Sequence, residues 1–534
     1  MSTMSIEKED TKYFKYLLYL ILGTTLFRLI YINLLNLAPQ EAYYWNYSRH
    51  LALSYLDHPP MLAYLIFIFT HLGRQSEFFV RISCVLVSFG LTYLTYLVGK
   101  LLFDPKVGFF SALFLNGILI FSLGAIIATP DTPMIFFWVL SFYFFSKLIL
   151  TQEKKWWYLS GMSTGLGLLS KYTAIFIIFS VFLYLVFSKQ NRRWLLSKEP
   201  YLALILAILI FSPVIIWNAQ NHWASFLFQS SRRAKELTSF SAWHFFGYLG
   251  AQIGVVSPLI YLSLIYAVIK SGIIGFKRKT TKSPPHSRLW RDFQPIPPMD
   301  FASLNLPKGE RECPLNEKFL LCFSWSFPII LFFTLVATKY WVKINWVSAG
   351  YFSASISLVA LFFRLLEKGR KWVKTWGISA LILSLIFVLI AHILPIMKFI
   401  PVSSSLDTVT GWEELAKRVE REKSKMKEGT IVVGYGYKVP SEIAFYSSSQ
   451  LETYSNNIVG ENGLQFDFWS NPKDFLGKDA IFVYDQRERY KNPENLKNFF
   501  ASVEETEPLK IYRGGKVLTT FHIFKCYEYK GHGG

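Results

Sequence analysis

Residues 37–65, LAPQEAYYWNYSRHLALSYLDHPPMLAYL, interrupt an otherwise apolar N-terminal part of the chain. The segment contains the carboxylates Glu41 and Asp57, two histidines, the pair Pro59-Pro60 and many aromatic side chains. Carboxylates are costly inside a hydrocarbon layer, whereas amphipathic aromatic side chains suit its interface with water. The segment therefore predicts a loop at a membrane surface, followed by an apolar helix over 61–72.

The whole chain has the composition of a polytopic membrane protein. Of its 534 residues, 52% are hydrophobic and 18% aromatic, and only 17% are charged, which is rare in soluble domains. The formal charge of +20 fits basic cytoplasmic loops, and no nucleic-acid-binding motif accompanies it. Nucleic acid is therefore not an expected partner. The four cysteines have neither metal-ligand nor disulfide spacing.

Apolar runs of about twenty residues, the length that crosses a bilayer, recur throughout residues 1–397. They predict an α-helical transmembrane domain with about eleven to thirteen spans. The count is a range because a reading of hydropathy easily misses short helices. The expected spans are 13–36, 78–102, 107–127, 132–150, 157–170, 172–188, 201–217, 244–270, 318–337, 346–366 and 373–397. The interruption at Ser170-Lys171 predicts two short helices within 157–188, with one long kinked helix as the alternative.

Loop charges predict an orientation in the plasma (inner) membrane. The basic segments are 8–15, 100–106, 154–155, 192–198, the long loop 271–317 and 367–374. They alternate with sparsely basic loops, so the positive-inside rule places them and the N-terminus in the cytoplasm. The outer set is then the first outer loop 37–77, the turn 128–133, Lys171, the loop 218–243, the turn 337–345 and the tail.

The tail, residues 398–534, predicts a small extracytoplasmic α/β domain. The segment 411–429, GWEELAKRVEREKSKMKEG, has a charged helical pattern. Short strand-like runs follow at 430–437, 443–449, 479–485 and 518–529. The Gly-rich stretch within 430–437 lacks the remaining pattern of a dinucleotide-binding fingerprint.

Three carboxylates on the predicted outer face are candidate catalytic residues: Glu41, Asp57 and Asp131. The prolines after Asp57 and His58 fix the backbone at the mouth of the 61–72 helix. Asp131, within TPDTP at 129–133, also has the position of a structural helix cap. Tyr43, Tyr44 and His58 are expected to contact the substrate.

Cations on the same predicted face are candidates to bind an anionic phosphate or headgroup. They are Lys171, the cluster Arg232 and Arg233, and Lys343; the neutral Asn345 in the same turn is a further candidate to bind the substrate. A structural interpretation also applies, because Lys171 can snorkel to the interface and the arginines can lie on anionic lipid.

Sugar transfer from a phosphate needs a base for the acceptor hydroxyl and positive charge for the departing phosphate. The outer set offers both. A transporter also gathers charges within a helix bundle, so a flippase for lipid-linked saccharides is the alternative. Transporters usually have duplicated halves with matching broken helices, which this sequence does not show.

The segment 39–62, with EAYYW, Tyr55 and Asp57-His58-Pro59-Pro60, resembles the first outer loop of a known enzyme family. These are GT-C-fold glycosyltransferases that use lipid-phosphate sugars, related to protein O-mannosyltransferases and to the lipid A aminoarabinose transferase. The similarity extends to TPDTP at 129–133, GLGLLSKYT at 165–173 and the turn around Lys343, and covers roughly 12–400.

The resemblance implies that an acidic residue of the first outer loop is the base. The family usually has Asp-Glu where this chain has Gln40-Glu41. We therefore expect Glu41 to be the base, with Asp57 as the next candidate, while Asp57 and Asp131 orient the acceptor and the base. Lys171, Arg232 and Arg233 are expected to hold the phosphate.

The resemblance further implies a polyprenyl-phosphate sugar donor and inverting transfer to an envelope lipid, glycan or protein. Some relatives use a divalent metal, for which Glu41, Asp57, Asp131 and His222 are the possible ligands here. The glutamine at position 40 leaves open a third possibility, a degenerate scaffold that binds glycolipid without turnover.

Overall fold

A computed structural model describes residues 3–232, 239–277, 313–488 and 493–531 of the chain. A bundle of apolar helices is followed by a small six-stranded sheet flanked by helices. Within these residues, eight helices are long and apolar enough to cross a membrane. The predicted fold class, a polytopic helical membrane protein with a small C-terminal α/β domain, is confirmed. Most of the predicted basic loop 271–317 lies outside the described residues.

The helices before the tail begin and end as follows. They are α1 Thr3–Tyr31, α2 Pro39–Arg49, α3 Met61–Leu72, α4 Glu77–Leu102, α5 Pro105–Asn116, α6 Leu119–Gly124, α7 Asp131–Thr151, α8 Lys155–Ser170, α9 Phe176–Phe187, α10 Glu199–Gln220, α11 Ala224–Leu227, α12 Ala242–Val256, α13 Pro258–Phe276, α14 Leu315–Val336, α15 Ser348–Glu367 and α16 Trp372–Ile396.

Two of the predicted spans are not single long helices, and a third apolar run is interrupted as predicted. The span 107–127 is divided into α5 and α6 at Gly117, and the run 157–188 is divided after Lys171, as expected. The span 244–270 is also broken, into α12 and α13, at Ser257, whose φ is +76°. Pro258 follows it, and a proline disfavours helical backbone in the residue before it.

Close helix packing relies on small residues. Gly161 on α8 faces α10, and a Cβ atom at this position would lie 2.4 Å from the carbonyl oxygen of Ala203. Gly165, one turn later, makes the same kind of approach to Ala207. Small residues four apart let helix backbones approach closely where lipid provides no hydrophobic driving force.

The tail contains α17 Trp412–Lys423, α18 Lys438–Tyr446 and α19 Leu496–Phe499, with six strands. The strands are β1 Ile431–Gly434, β2 Thr453–Tyr454, β3 Ala480–Asp485, β4 Phe500–Glu505, β5 Leu509–Arg513 and β6 Lys516–Tyr529. Their order is β2-β1-β3-β6-β4, with β5 also paired to β6. β1 is parallel to β2 and β3, whereas β6 is antiparallel to its neighbours.

The expected strand at 443–449 is wrong, because this segment forms the end of α18 and the turn after it. Ile443 lies four residues after Val439, the spacing of one helix face. Val439, Ile443 and Ala444 are all buried. Gly434 ends β1 directly against this helix, where a Cβ atom would lie 2.5 Å from Pro440. The strand and helix thus form a tight β-α unit.

The tail packs on the first loop and on the end of the last membrane helix. The rings of Trp45 on α2 and Phe445 on α18 are 5.1 Å apart. Leu56 N donates to Gln465 Oε1 at 2.7 Å. Arg513, at the end of β5, donates to the carbonyls of Leu394 and Met397 at the end of α16. These contacts place the sheet over the end of the bundle where the first loop lies.

Candidate active site

Glu41, in the first turn of α2, is fully buried and faces Arg81 of α4. Arg81 donates Nε to Oε1 at 2.9 Å and Nη2 to Oε2 at 2.6 Å. The backbone N–H groups of Ala128 and Ala38 also donate to this carboxylate, at 2.8 and 2.9 Å. These four hydrogen bonds, two of them from a charged guanidinium group, fix α2 against the bundle.

Asp57 lies in the irregular loop between α2 and α3 and is half-buried. Tyr47 of α2 donates its hydroxyl to Asp57 Oδ1, and Gln229 donates to the Asp57 carbonyl at 2.7 Å. Burial raises the pKa of the Asp57 carboxyl, while the Tyr47 bond and the charge of Lys343 act in the opposite direction. A carboxylate with a raised pKa is better suited to accept a proton.

Asp131, at the start of α7, forms the centre of a polar cluster. Lys171 Nζ lies 2.7 Å from Oδ1 and 2.8 Å from Oδ2. Asn345 Nδ2 donates to Oδ2 at 2.6 Å. Lys171 has extended backbone between the short helices α8 and α9, so the interruption of 157–188 brings its ammonium group to Asp131. The side chains of Asp131 and Lys171 are both nearly inaccessible to solvent.

A cavity of about 510 Å³ opens beside this cluster. Its polar lining includes Gln40, Tyr44, His58, Asp131, Lys171, Lys343 and Asn345. Its apolar walls come from α4, α6, α7 and the neighbourhood of Trp346, and one tail residue, Thr408, also lines it. The volume is within the range of small-molecule sites. Besides Asp131, five residues predicted from the sequence therefore line this cavity, namely Tyr44, His58, Lys171, Lys343 and Asn345.

Other predicted residues lie elsewhere. The ring of Tyr43 packs against Tyr437 and Phe466 of the tail, and its hydroxyl accepts a bond from Gln465 N. Arg232 ends a π-helical turn, Phe228–Arg232, but its side chain and the whole of Arg233 lie outside what the structure describes. The predicted phosphate role of these two arginines therefore stays a prediction.

The possible metal ligands do not meet. His222 is exposed at a position with φ of +52°, and Glu41 and Asp131 already bind Arg81 and Lys171. No group of three or more His, Cys, Asp or Glu side chains with metal-site geometry occurs in the described ranges. The four side chains do not fit a metal site in this arrangement.

The most important residue that the sequence analysis missed is Arg81. It is an arginine within the predicted span 78–102, and an ionisable residue at membrane depth points by itself to a specific partner. Tyr47 was missed in a run of aromatic residues with no distinguishing signal, and Gln229 lies in the long loop 218–243. Only the contacts across the fold distinguish these two residues.

Comparison with known proteins gives a consistent set of relatives. Residues 57–217 match a family described as dolichyl-phosphate-mannose-protein mannosyltransferase. The lipid A galacturonosyltransferase RgtD of Rhizobium johnstonii is 23% identical over 388 residues, covering 69% of this chain and 70% of RgtD.

Among solved structures, ArnT from Cupriavidus metallidurans in the apo state has a TM-score of 0.60 at 12% identity. The match covers 96% of this chain and 98% of ArnT. ArnT bound to undecaprenyl phosphate also has a TM-score of 0.60 at 12% identity, over 95% of this chain and 97% of that one. The predicted resemblance is confirmed: the chain is similar in sequence to membrane glycosyltransferases, and its helical bundle and tail have the ArnT-like GT-C fold.

Proposed function

We propose that this protein transfers a sugar from a polyprenyl-phosphate donor to a hydroxyl of an envelope lipid, glycan or protein. The observation that carries the proposal is the cavity beside Asp131, where a carboxylate-rich loop and two lysines meet at the end of a membrane bundle. In this proposal the bundle lies in the plasma (inner) membrane with the N-terminus in the cytoplasm. The tail, 398–534, then lies outside the cytoplasm, over the site.

Asp57 is the base in this proposal, in place of Glu41. The Glu41 carboxylate already accepts four hydrogen bonds, from Arg81 and two backbone N–H groups, so its oxygens are occupied by structural contacts. Neither Glu41 nor Asp57 is itself among the cavity-lining residues, so the choice rests on their partners and surroundings. Asp57 has the raised pKa that a base needs, and its neighbour His58 lines the cavity. Glu41 becomes a positioning residue for α2, which carries Tyr44 and Tyr47.

Gln40 supports this assignment. It lines the cavity at the position where related enzymes usually have an aspartate. A glutamine amide can donate and accept hydrogen bonds, but it does not accept a proton at neutral pH. The proton must therefore go to another group near the cavity, and Asp57 is the carboxylate whose pKa fits that task.

Lys171, Lys343 and Asn345 bind the donor phosphate. Lys171 has three N–H donors and directs its ammonium group to Asp131. Asp131 thereby holds the lysine in position at the cavity wall. As the bond between sugar and phosphate breaks, negative charge grows on the phosphate oxygen, and fixed cations at that point stabilise it.

The proposed reaction needs only the acceptor hydroxyl, the Asp57 carboxylate and the polyprenyl-phosphate sugar. The acceptor oxygen attacks the anomeric carbon and its proton passes to the Asp57 carboxylate. The carbon–oxygen bond to the phosphate breaks, and the polyprenyl phosphate leaves with the electron pair. Attack from the face opposite the leaving group inverts the anomeric centre.

The relatives favour an envelope lipid among the possible acceptors. RgtD is named for galacturonosyl transfer to lipid A, and one of the ArnT structures holds undecaprenyl phosphate. We therefore propose undecaprenyl phosphate or a similar polyprenyl phosphate as the carrier and a lipid A-like glycolipid as the first acceptor to test.

The test uses purified full-length protein, in lipid nanodiscs to measure transfer and in sealed proteoliposomes to measure movement of the donor. Polyprenyl-phosphate sugars are supplied with and without an outer-leaflet lipid extract, and the sugar attached to the acceptor is measured. Acceptor-dependent transfer supports the proposal. Movement of the donor across a sealed bilayer without transfer identifies a flippase, and donor binding without either activity identifies a scaffold; both results contradict it.

A further inference from the structure

Among the residues that the structure describes, one buried arginine has no carboxylate partner. In the ranges 3–232, 239–277, 313–488 and 493–531, four Lys or Arg residues are buried: Arg28, Arg81, Lys171 and Arg513. The last three each form an ion pair, with Glu41, Asp131 and Asp407 respectively. Arg28 forms none, although it is only 4% exposed.

Arg28 lies one turn before the end of α1 and contacts only neutral groups. Its Nη1 donates to Ser88 Oγ on α4 at 2.9 Å, and its Nη2 donates to Asn116 Oδ1 at the end of α5 at 2.7 Å. A guanidinium group stays protonated in proteins, so this part of the bundle contains a full positive charge. An ionisable residue at membrane depth is usually retained for a function and for a specific partner.

Ser88 connects this charge to the cavity. It is part of the cavity wall, together with Leu91 on the next turn of α4. Within the described part of the chain, the Ser88 hydroxyl accepts the bond from Arg28 and donates none. Its proton is thus available to a group in the cavity. A hydroxyl that accepts from a cation is a stronger donor, because hydrogen bonds in a chain polarise one another.

We infer that the Ser88 wall of the cavity, with Arg28 behind it, is a binding subsite for an anionic oxygen of the donor. This inference rests on the proposed function. Two donor groups have this chemistry: the phosphate itself and the carboxylate of an acidic sugar. Arg28 acts through Ser88 and is therefore a positioning residue for the ligand, separate from the lysines that the proposed function assigns to the leaving phosphate.

The experiment measures donor affinity in nanodiscs for three probes. They are undecaprenyl phosphate, undecaprenyl-phosphate galactose and undecaprenyl-phosphate galacturonic acid, of which the two sugars differ only in the oxidation state of C6. The variants are Arg28→Gln, Arg28→Lys and Ser88→Ala. Asn116→Ala is the matched control, because it removes the other bond of Arg28 at a residue that does not line the cavity.

We expect Arg28→Gln and Ser88→Ala to weaken anion binding about tenfold, the scale of one charge-assisted hydrogen bond. Arg28→Lys should restore part of the loss, and Asn116→Ala should leave affinity unchanged. A loss confined to the galacturonic acid donor identifies the sugar carboxylate as the bound group. An equal loss for all three probes identifies the phosphate.

The inference is overturned if Ser88→Ala binds every probe as wild type does. It is also overturned if Asn116→Ala reproduces the loss, since Arg28 would then only brace the helices. Ser88→Ala keeps the test valid if the arginine variants do not fold. If wild type transfers no sugar but the affinities change as expected, the proposed function fails while the subsite stands.

Discussion

Arg81 on α4 and Glu41 on α2 form a bidentate ion pair, with nitrogen–oxygen distances of 2.9 and 2.6 Å, in a fully buried position. The pair ties the first loop to the membrane bundle. Glu41, which the sequence favours as the base, therefore has a structural role in the fold.

Glu41→Gln should therefore destabilise the protein as well as inactivate it. Removing one partner of a buried ion pair leaves an uncompensated charge and costs about 3–5 kcal/mol. Thermal unfolding in detergent measures this as a clear drop in Tm. Glu452→Gln is the matched control, because Glu452 pairs with Arg49 at an exposed site and should change Tm little. An unchanged Tm for Glu41→Gln would contradict this account of the loop.

Lys171→Met should lower kcat/KM for the donor by roughly a hundredfold, the loss typical of one group that stabilises developing charge. Steady-state kinetics with varied donor concentration measures the effect. Lys154→Met is the control at the other end of α8, where Lys154 pairs with Glu199. Equal loss in both variants would indicate a general effect on α8 and would count against a phosphate role for Lys171.

Tyr47→Phe should move the acidic limb of the pH–rate profile. A base works only when deprotonated, so kcat/KM falls as the pH drops through the pKa of Asp57. The Tyr47 hydrogen bond favours the charged carboxylate and lowers that pKa. Its removal raises the pKa, so activity should be lost at a higher pH than in wild type.

Tyr55→Phe is the control for this profile. Its hydroxyl donates to the carbonyl of Tyr47 at 2.9 Å and does not contact the carboxylate, so the acidic limb should stay in place. A limb that stays in place in Tyr47→Phe as well would mean that Asp57 does not control the rate.

Arg513→Leu should release the tail from the end of α16. Arg513 is buried, pairs with Asp407 and donates to Leu394 O at 2.6 Å. Its loss leaves the Asp407 carboxylate buried without a counter-charge. Limited proteolysis should then cleave around 398–411 faster than in wild type. Lys417→Leu, which breaks an exposed pair with Glu413, should not change the cleavage rate.

Acid should weaken the same contact. Burial acts to raise the pKa of Asp407, but the bonds from Arg513 outweigh it and hold the pKa below its ordinary value. The contribution of Asp407 to stability is therefore complete above the ordinary aspartate pKa of about 3.9. It is lost only as the pH falls through the lower folded-state value.

The lengths of the apolar runs and the residues that interrupt them were sufficient to predict most of the bundle. The helix at 61–72, the interruption at Lys171 and the charged helix near 412 all follow from residue patterns that act locally. The break at Ser257 was missed because flanking residues continue the apolar run. Helix α18 was missed because its short apolar run fits a strand equally well. The packing of Pro440, within this helix, against the end of β1 appears only in the fold.

The site was predictable as a set of residues but not as a set of roles. Asp131, Lys171 and Asn345 were each identified from the sequence, and they meet in one cluster. The role of Glu41 depends on Arg81, forty residues later, and the properties of Asp57 depend on how deeply the tail and α2 bury it. Such long-range contacts leave no local pattern in the sequence.

The central claim is that Asp57 takes the proton during sugar transfer. The most direct test is single-turnover transfer from a polyprenyl-phosphate sugar to a lipid acceptor by Asp57→Asn in nanodiscs, with donor affinity and Tm measured in parallel. We predict a rate loss of about 10²–10⁴-fold, the contribution typical of a general base, with donor affinity and Tm near wild type. Transfer at the wild-type rate by this variant would contradict it.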